Sequence, residues 1–168
     1  MKLLIAGGGT GGHIVPALAV ADCFKDLDPN NDILFIGTER GLEAKLIPAG
    51  NHKISFINVR GIKKTGITNL LFACFEIPVS ILISIIKIVR FKPDFVLGTG
   101  GYASGPGLLA ALILRKKTAI MEQNSVPGIT NKFLGKFTDM VFTADRNSLT
   151  YFPSKKQSSA ETRFQKNS

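Results

Sequence analysis

Aromatic side chains are scarce in this sequence: tryptophan is absent, tyrosine occurs twice, and Phe, Trp and Tyr together make up 8% of the residues. The basic residues gather around an apolar segment with no interleaved stacking rings, which argues against a nucleic-acid-binding surface. Cysteine is equally rare. Cys23 and Cys74 sit in apolar helical patterns with no metal-ligand spacing and no second ligating cluster. Neither a disulfide framework nor a metal site is expected, and both read as buried thiols of a reducing cytosol. Acidic residues are outnumbered, 12 against 21 Lys and Arg, for a net charge of +9. That excess points to an anionic partner, which nucleic acid, an anionic membrane or a phosphorylated substrate would each satisfy, and charge alone does not choose. Leu3 to Ala6 is too short for a signal-peptide core, so a chain that starts in the cytosol is expected. Apolar residues themselves are not lacking. At 45% of 168 residues they supply the core of one globular domain and exclude a disordered chain.

Glycine comes in bursts. In Leu3 to Leu18, LLIAGGGTGGHIVPAL, a short apolar run ends in five glycines among the six residues Gly7 to Gly12. A helical pattern is expected to open at Pro16, where proline's fixed φ and missing N–H suit a first turn. Strand, tight loop and helix N-terminus together make an anion site: glycines let a ligand approach the main chain, and the helix end offers free N–H groups and a partial positive charge. The natural ligand is a phosphate or diphosphate. One or two glycines would serve a plain turn, and five exceed it. Gly7, Gly9 and Gly12 also satisfy the G-x-G-x-x-G spacing of a dinucleotide fold. The acidic residue which that reading wants after the second strand is only Glu39, placed late and followed by Arg40. His13, where the loop becomes the helix, either caps or packs, or else binds substrate or moves a proton.

Strands and helices alternate along the chain. After a first helix to Leu27, ILFIG starts a second strand near Ile33; Leu42 to Ile47 reads as a short helix ended by Pro48 and Gly50, and Lys53 to Val59 as a third strand. RGIKKTG is a basic loop before a long apolar helical stretch, Ile67 to Phe91, interrupted at Pro78. Asp94 to Leu97 is strand four and runs into a second glycine loop, GTGGYASGPG, with Pro106 near the next helix start. Thr118 to Met121, a helical Asn131 to Phe137 and Met140 to Thr143 complete the series. Apolar strands joined by short β-α connections imply an α/β fold with one Rossmann-like, doubly wound parallel sheet.

Ligands in such a sheet bind outside the carboxyl ends of the strands. Gly7 to His13, Gly98 to Gly107 and Glu122 to Asn124 all fall there. A second glycine loop exceeds what one dinucleotide needs and suits a substrate diphosphate held from two sides. Tyr102, between glycines, has little to pack on and reads as a substrate contact. Glu122 and Asn124 alternate along a strand end and so share one face, where Asn124 fixes a turn or reads sugar hydroxyls.

GGGTGGHIVPALAVA, GTERGLEAKLIP, GTGGYASGPG and MEQNSVPGITNKFL together resemble the N-terminal half of the MurG family of peptidoglycan N-acetylglucosaminyltransferases, over roughly Met1 to Pro153. The resemblance implies the N-terminal half of a two-domain GT-B enzyme with its active site in the cleft between domains. It also implies transfer of N-acetylglucosamine from UDP-N-acetylglucosamine to the muramoyl-pentapeptide on undecaprenyl diphosphate, at the cytoplasmic face of the bacterial membrane. Thr10, Gly11, Gly12 and Asn124 match the family's donor contacts. His13, Tyr102, Glu122 and Asn131 match positions of acceptor binding or catalysis, and Gly100, Gly101, Ser104 and Gly105 belong to the matching second glycine loop. Inverting transfer needs no enzyme nucleophile and no cofactor; it needs a base for the attacking hydroxyl and stabilisation of the departing diphosphate. His13 or Glu122 is that base, His13 being favoured by its place beside the loop, with Glu122 orienting it or the acceptor.

Residues 1–153 are expected to form the domain and 154–168, SKKQSSAETRFQKNS, a polar disordered tail. The family's glycine-asparagine-proline-valine-arginine segment is not found, so the C-terminal nucleotide-sugar domain is expected to be absent from the chain, and activity to require it. Alternative readings are a non-catalytic lipid-diphosphate-binding module, the acceptor half of a split glycosyltransferase whose partner is a separate C-terminal chain, and, third, a nucleotide-dependent oxidoreductase. The 20-residue stretch Ile67 to Ile86 approaches a membrane span in length, but Glu76 and Pro78 interrupt it. With Arg60, Lys63 and Lys64 before it and Lys87, Arg90 and Lys92 after it, peripheral binding to an anionic membrane is expected, with Leu71 and Phe75 among the inserting residues.

Overall fold

The computed structural model describes residues 1–59, 67–154 and 157–159, with side chains at 1–59 and 76–154. Seven parallel strands form one sheet in the order β3-β2-β1-β4-β5-β6-β7. The strands are β1 (Lys2–Gly7), β2 (Asp32–Gly37), β3 (Lys53–Phe56), β4 (Phe95–Gly100), β5 (Lys117–Glu122), β6 (Met140–Thr143) and β7 (Gln157–Ser159). Helices α1 (Gly11–Leu27), α2 (Glu43–Ala49), α3 (Ile67–Phe91), α4 (Ser104–Ile113) and α5 (Ile129–Leu134) connect them, with a 3₁₀ turn at Arg146–Tyr151. The order reverses between β1 and β4, which makes that junction the switch point of a doubly wound sheet.

Alternation along β1 divides the core. Leu3 and Ile5 face one side, with Ile14, Ala17 and Ala21 of α1, Phe35 of β2 and Ile47 of α2. Leu4 and Ala6 face the other, with Ile88 of α3 and Leu108, Ala110 and Ala111 of α4. Both faces of the central strands are therefore covered, which is why their sequences read as unbroken apolar runs. The buried α1 residues recur at three and four positions, one stripe of a helix. Cys23 lies off that stripe and is exposed, not buried as expected; the Cys74 side chain lies outside the described residues.

α1 begins at Gly11, five residues before the expected start, so Pro16 lies within the helix. Its missing N–H removes the donor that would reach the Gly12 carbonyl, a loss tolerated where the helix has only just begun. Likewise Pro48 falls in the last turn of α2. The stretch expected to be a disordered polar tail departs from that expectation at Gln157–Ser159, which pair in parallel with Val141, Phe142 and Thr143 of β6. Sheet pairing uses main-chain groups, so polar side chains do not prevent it.

α4 rests on β1 so closely that a Cβ at Gly107 would lie 2.5 Å from the Cβ of Ala6. Gly107→Ala is expected to push the helix off the strand. Overpacking costs about 1–3 kcal/mol, against about 1 kcal/mol recovered in helix propensity, so urea denaturation should show a net loss that Ala6→Gly partly restores. An unchanged midpoint would mean that the helix is free to shift.

Candidate functional site

Where the sheet switches, the two glycine loops touch. The Gly8 N–H donates to the Gly100 carbonyl at 3.2 Å. Gly101, at φ 79°, comes so near that a Cβ on it would stand 1.9 Å from the Gly8 carbonyl oxygen. No L side chain fits there. The ladder between β1 and β4 shifts register between Ala6 and Gly7, which brings Gly7 opposite Gly100 and turns the two strand ends together. His13, in the first turn of α1, lays its ring against Gly100: a Cβ there would be 2.7 Å from its Nδ1.

Buried carboxylates hold the first glycine loop and the loop after β5. Glu43, at the start of α2, is 0% exposed. Its Oε2 accepts from the Gly9 N–H at 2.8 Å, and its Oε1 from the Thr38 N–H at 2.9 Å and the Thr38 hydroxyl at 2.7 Å. The carboxylate fills the space where side chains on Gly8 and Gly41 would be. The glycine loop is therefore not an open amide cradle, since the N–H groups of Gly8 and Gly9 are already engaged. The amides left for an anion are those heading α1, at Gly11 and Gly12, which have no intrahelical acceptor.

Glu122, at the end of β5, is the second carboxylate and is also 0% exposed. Its Oε1 accepts from the main-chain N–H and the side-chain Nδ2 of Asn124, both at 2.9 Å. Its Oε2 accepts from Asn131 Nδ2 at 2.9 Å and from the Gly128 N–H at 3.2 Å. Four donors on one carboxylate tie the loop after β5 to α5. Glu122 does not orient His13 in this arrangement: the His13 Nδ1 lies 3.2 Å from the Oε1 of Gln123.

The expected site residues thus fall into two groups. Thr10, Gly12, Asn124 and Tyr102 are exposed, and Gly11, His13, Gly101 and Gly105 are half-buried around them. Gly100, Ser104, Glu122 and Asn131 are buried behind that surface. The Ser104 hydroxyl and the Asn131 Oδ1 have no partner among the described residues. Tyr102 opens onto an apolar cavity of about 270 Å³ lined also by Val59, Ile77, Leu109, Ile129 and Phe133. Glu39, the acidic residue a dinucleotide would need, instead lines another cavity, of about 370 Å³, with Arg40, Asn58 and Glu76. Glu43 and Gln123 were not legible as site residues. Glu43 looks like an ordinary first-turn acid, and the signal for it was the string of glycines that make room for its carboxylate. Gln123 is hidden from strand alternation, since the strand ends at Glu122 and the chain turns.

Residues 3–143 match the glycosyltransferase family 28 N-terminal domain. The chain belongs to that family. The UDP-N-acetylglucosamine--N-acetylmuramyl-(pentapeptide) pyrophosphoryl-undecaprenol N-acetylglucosamine transferase of Anaeromyxobacter sp. (strain Fw109-5) is 47% identical over 156 residues, 93% of this chain and 41% of that protein. Among solved structures, Acinetobacter baumannii MurG superposes with a TM-score of 0.79 at 32% identity, over 94% of this chain and 44% of its own. UDP-GlcNAc 2-epimerase from Neisseria meningitidis, bound to UDP-GlcNAc, gives a TM-score of 0.68 at 15% identity and shares the fold alone. The family 28 domain described here spans less than half the length of the curated relatives it matches. With this membership the oxidoreductase reading falls away.

In this family 28 domain the Glu43 carboxylate is open to a stability test. Glu43→Gln replaces one acceptor oxygen by an NH₂ group that meets either the Gly9 N–H or the Thr38 donors. A buried donor left unsatisfied costs about 1–3 kcal/mol, so the denaturation midpoint should fall nearly as far as for Glu43→Ala. A Gln variant as stable as the parent chain would mean that the carboxylate does not hold the loop.

Proposed function

We propose that this chain is the acceptor-side half of an inverting N-acetylglucosaminyltransferase of peptidoglycan synthesis. In this reading N-acetylglucosamine passes from UDP-N-acetylglucosamine to a muramoyl-pentapeptide carried on undecaprenyl diphosphate, completed by a C-terminal nucleotide-sugar half. The observation that carries it is the half-buried imidazole of His13 held between two touching glycine loops, with Thr10, Gly12, Asn124 and Tyr102 exposed around it. The relative with which the chain shares 47% identity is named for this transfer.

Chemically, His13 takes the proton of the attacking sugar hydroxyl, whose oxygen forms the new bond to the anomeric carbon as the bond to the UDP diphosphate breaks. The N–H groups heading α1 meet phosphate oxygens, adding to stabilisation supplied mainly by the C-terminal half. Asn124, with its Nδ2 given to Glu122, has its Oδ1 left to accept from a sugar hydroxyl. Glu122 and Asn131 hold the loop and are positioning residues. On its own the chain is expected to transfer negligibly, and a relative's C-terminal half, fused or added in trans, to restore turnover. In that assembly His13→Ala should lower kcat by about 10²- to 10⁴-fold with the denaturation midpoint unchanged, whereas Glu122→Ala should lower the midpoint as well. Turnover by the isolated chain, or full activity of His13→Ala, contradicts the assignment.

The same reading places the chain on the cytoplasmic face of the membrane as a peripheral protein. Among the described residues no helix is long and apolar enough to cross a membrane. α3 is nevertheless apolar on both sides. Inward, Ile88 is buried and Ile81 and Ile85 pack against the core beside Ser80 and Ser84, whose hydroxyls donate to the carbonyls of Asn58 and Ser80. Val79, Leu82, Ile86 and Val89 face outward, 45–58% exposed. A helix bordering water alone carries a polar outer face. Of the expected basic flank, Lys87 is turned to the Ser55 hydroxyl and its pKa is lowered, by burial first and by Arg90 second. Arg60, Lys63 and Lys64, and the side chains of Leu71 and Phe75, lie outside the described residues. Shallow insertion of the Val79–Val89 stripe, with basic residues near anionic lipid contributing about 1 kcal/mol each, supports reversible docking. Sedimentation with anionic liposomes should weaken at high salt and weaken further in Leu82→Ser/Val89→Ser. Equal binding to neutral liposomes, or none to anionic ones, argues against it.

A further inference from the structure

We infer that Gln123 is a positioning residue that sets the tautomer of His13 and so decides whether the ring nitrogen turned away from it, Nε2, presents a lone pair or an N–H. The inference rests on the reading of His13 as the base. A carbonyl oxygen only accepts, so the 3.2 Å contact between Gln123 Oε1 and His13 Nδ1 requires the ring proton on Nδ1. The neutral ring then carries its lone pair at Nε2, the nitrogen turned away from Gln123. That is the nitrogen that can take up a proton. The reverse amide orientation would set an N–H against Nδ1, put the ring proton on Nε2 and present a donor where a base is needed.

The surroundings restrict the ring and the amide. One face of the imidazole is pressed on the Gly100 backbone, where even a methyl group has no room. Gln123 follows Glu122, whose four accepted hydrogen bonds pin the loop at Asn124, Gly128 and Asn131. The Gln123 Nε2 is buried and has no partner among the described residues. The two buried carboxylates of the site are directed elsewhere: Glu122 to that loop, and Glu43 to Gly9 and Thr38. Tyr102, in the second glycine loop, is exposed. The proton position on His13 is therefore left to a neutral amide, which biases the tautomer without adding charge.

The sequence contains two histidines, so both are readable in one spectrum of the ¹⁵N-labelled chain. His52 is an internal reference, because its Nε2 pairs with the Asp22 carboxylate at 2.8 Å and so carries its proton there. In the neutral form, ring-nitrogen shifts are expected to give Nδ1–H for His13 and Nε2–H for His52. Gln123→Leu should return His13 to the Nε2–H form that free imidazole side chains favour, with His52 unchanged as the sign of an intact fold. Gln123→Glu should keep Nδ1–H, because a carboxylate oxygen, like the amide carbonyl, only accepts. Nε2–H on His13 in the parent chain overturns the inference whatever the variants do, and so does a Leu variant with its tautomer unchanged. The measurement needs no substrate, so its failure is distinct from that of the base assignment, which the turnover of His13→Ala decides.

Discussion

At the switch point of this sheet two main chains touch, and the geometry of the site follows from that contact. Gly8 donates to Gly100, and Gly101 approaches Gly8 too closely for any side chain. In most folds of this kind the crevice outside the strand ends is open enough to admit a cofactor between the loops. Here backbone fills it, and what remains open is the rim where α1 begins. His13 stands on that rim with its ring across Gly100.

Such a contact needs rigid support, since loops rich in glycine lose more conformational entropy on ordering than any other chain segment. Two carboxylates, both shut away from solvent, offset part of that cost. Glu43 ties the first loop to the turn after β2, and Glu122 ties the turn after β5 to α5. Charge-assisted hydrogen bonds are stronger than neutral ones, and a buried carboxylate is tolerated only when its lone pairs are filled, so each anchor is strong because it is complete. The consequence for function is a division of labour among residues that look alike in sequence. Some polar side chains are exposed at the rim, and others hold the loops that carry them.

α3 carries a related lesson about packing. Its Ser80 and Ser84 face inward beside Ile81, Ile85 and Ile88, with their hydroxyls returned to main-chain carbonyls, and Val79, Leu82, Ile86 and Val89 face out. Serine inside lets the helix settle close to the sheet, while the apolar exterior leaves a surface suited to a second apolar phase. The cavity beside Tyr102 opens next to Ile77 of this same helix. The candidate acceptor site and the candidate membrane surface are thus parts of one side of the domain.

Much of the fold was legible without coordinates. Period-two and period-3.6 patterning with short connections implies parallel β-α units, and the strand ends carrying the three polar or glycine-rich segments were read correctly because a parallel sheet sends all its carboxyl ends to one edge. Local rules failed where tertiary contacts outweighed them. α1 starts at Gly11 and not at Pro16, since the loop held by Glu43 and Gly100 forces the chain to turn early. Three residues of a polar tail join the sheet because β6 presents an unpaired edge. The sequence by itself determined the sheet, the two glycine loops and the candidacy of His13, all of which depend on residue type and spacing along the chain. Only the tertiary structure decided that Glu122 is an anchor, that Glu43 belongs to the site and that Gln123 is the neighbour of His13. The roles of Glu43 and Gln123 depend on contacts across 34 and 110 residues of chain, which no local pattern encodes, and that of Glu122 on how the turn after β5 folds back onto α5.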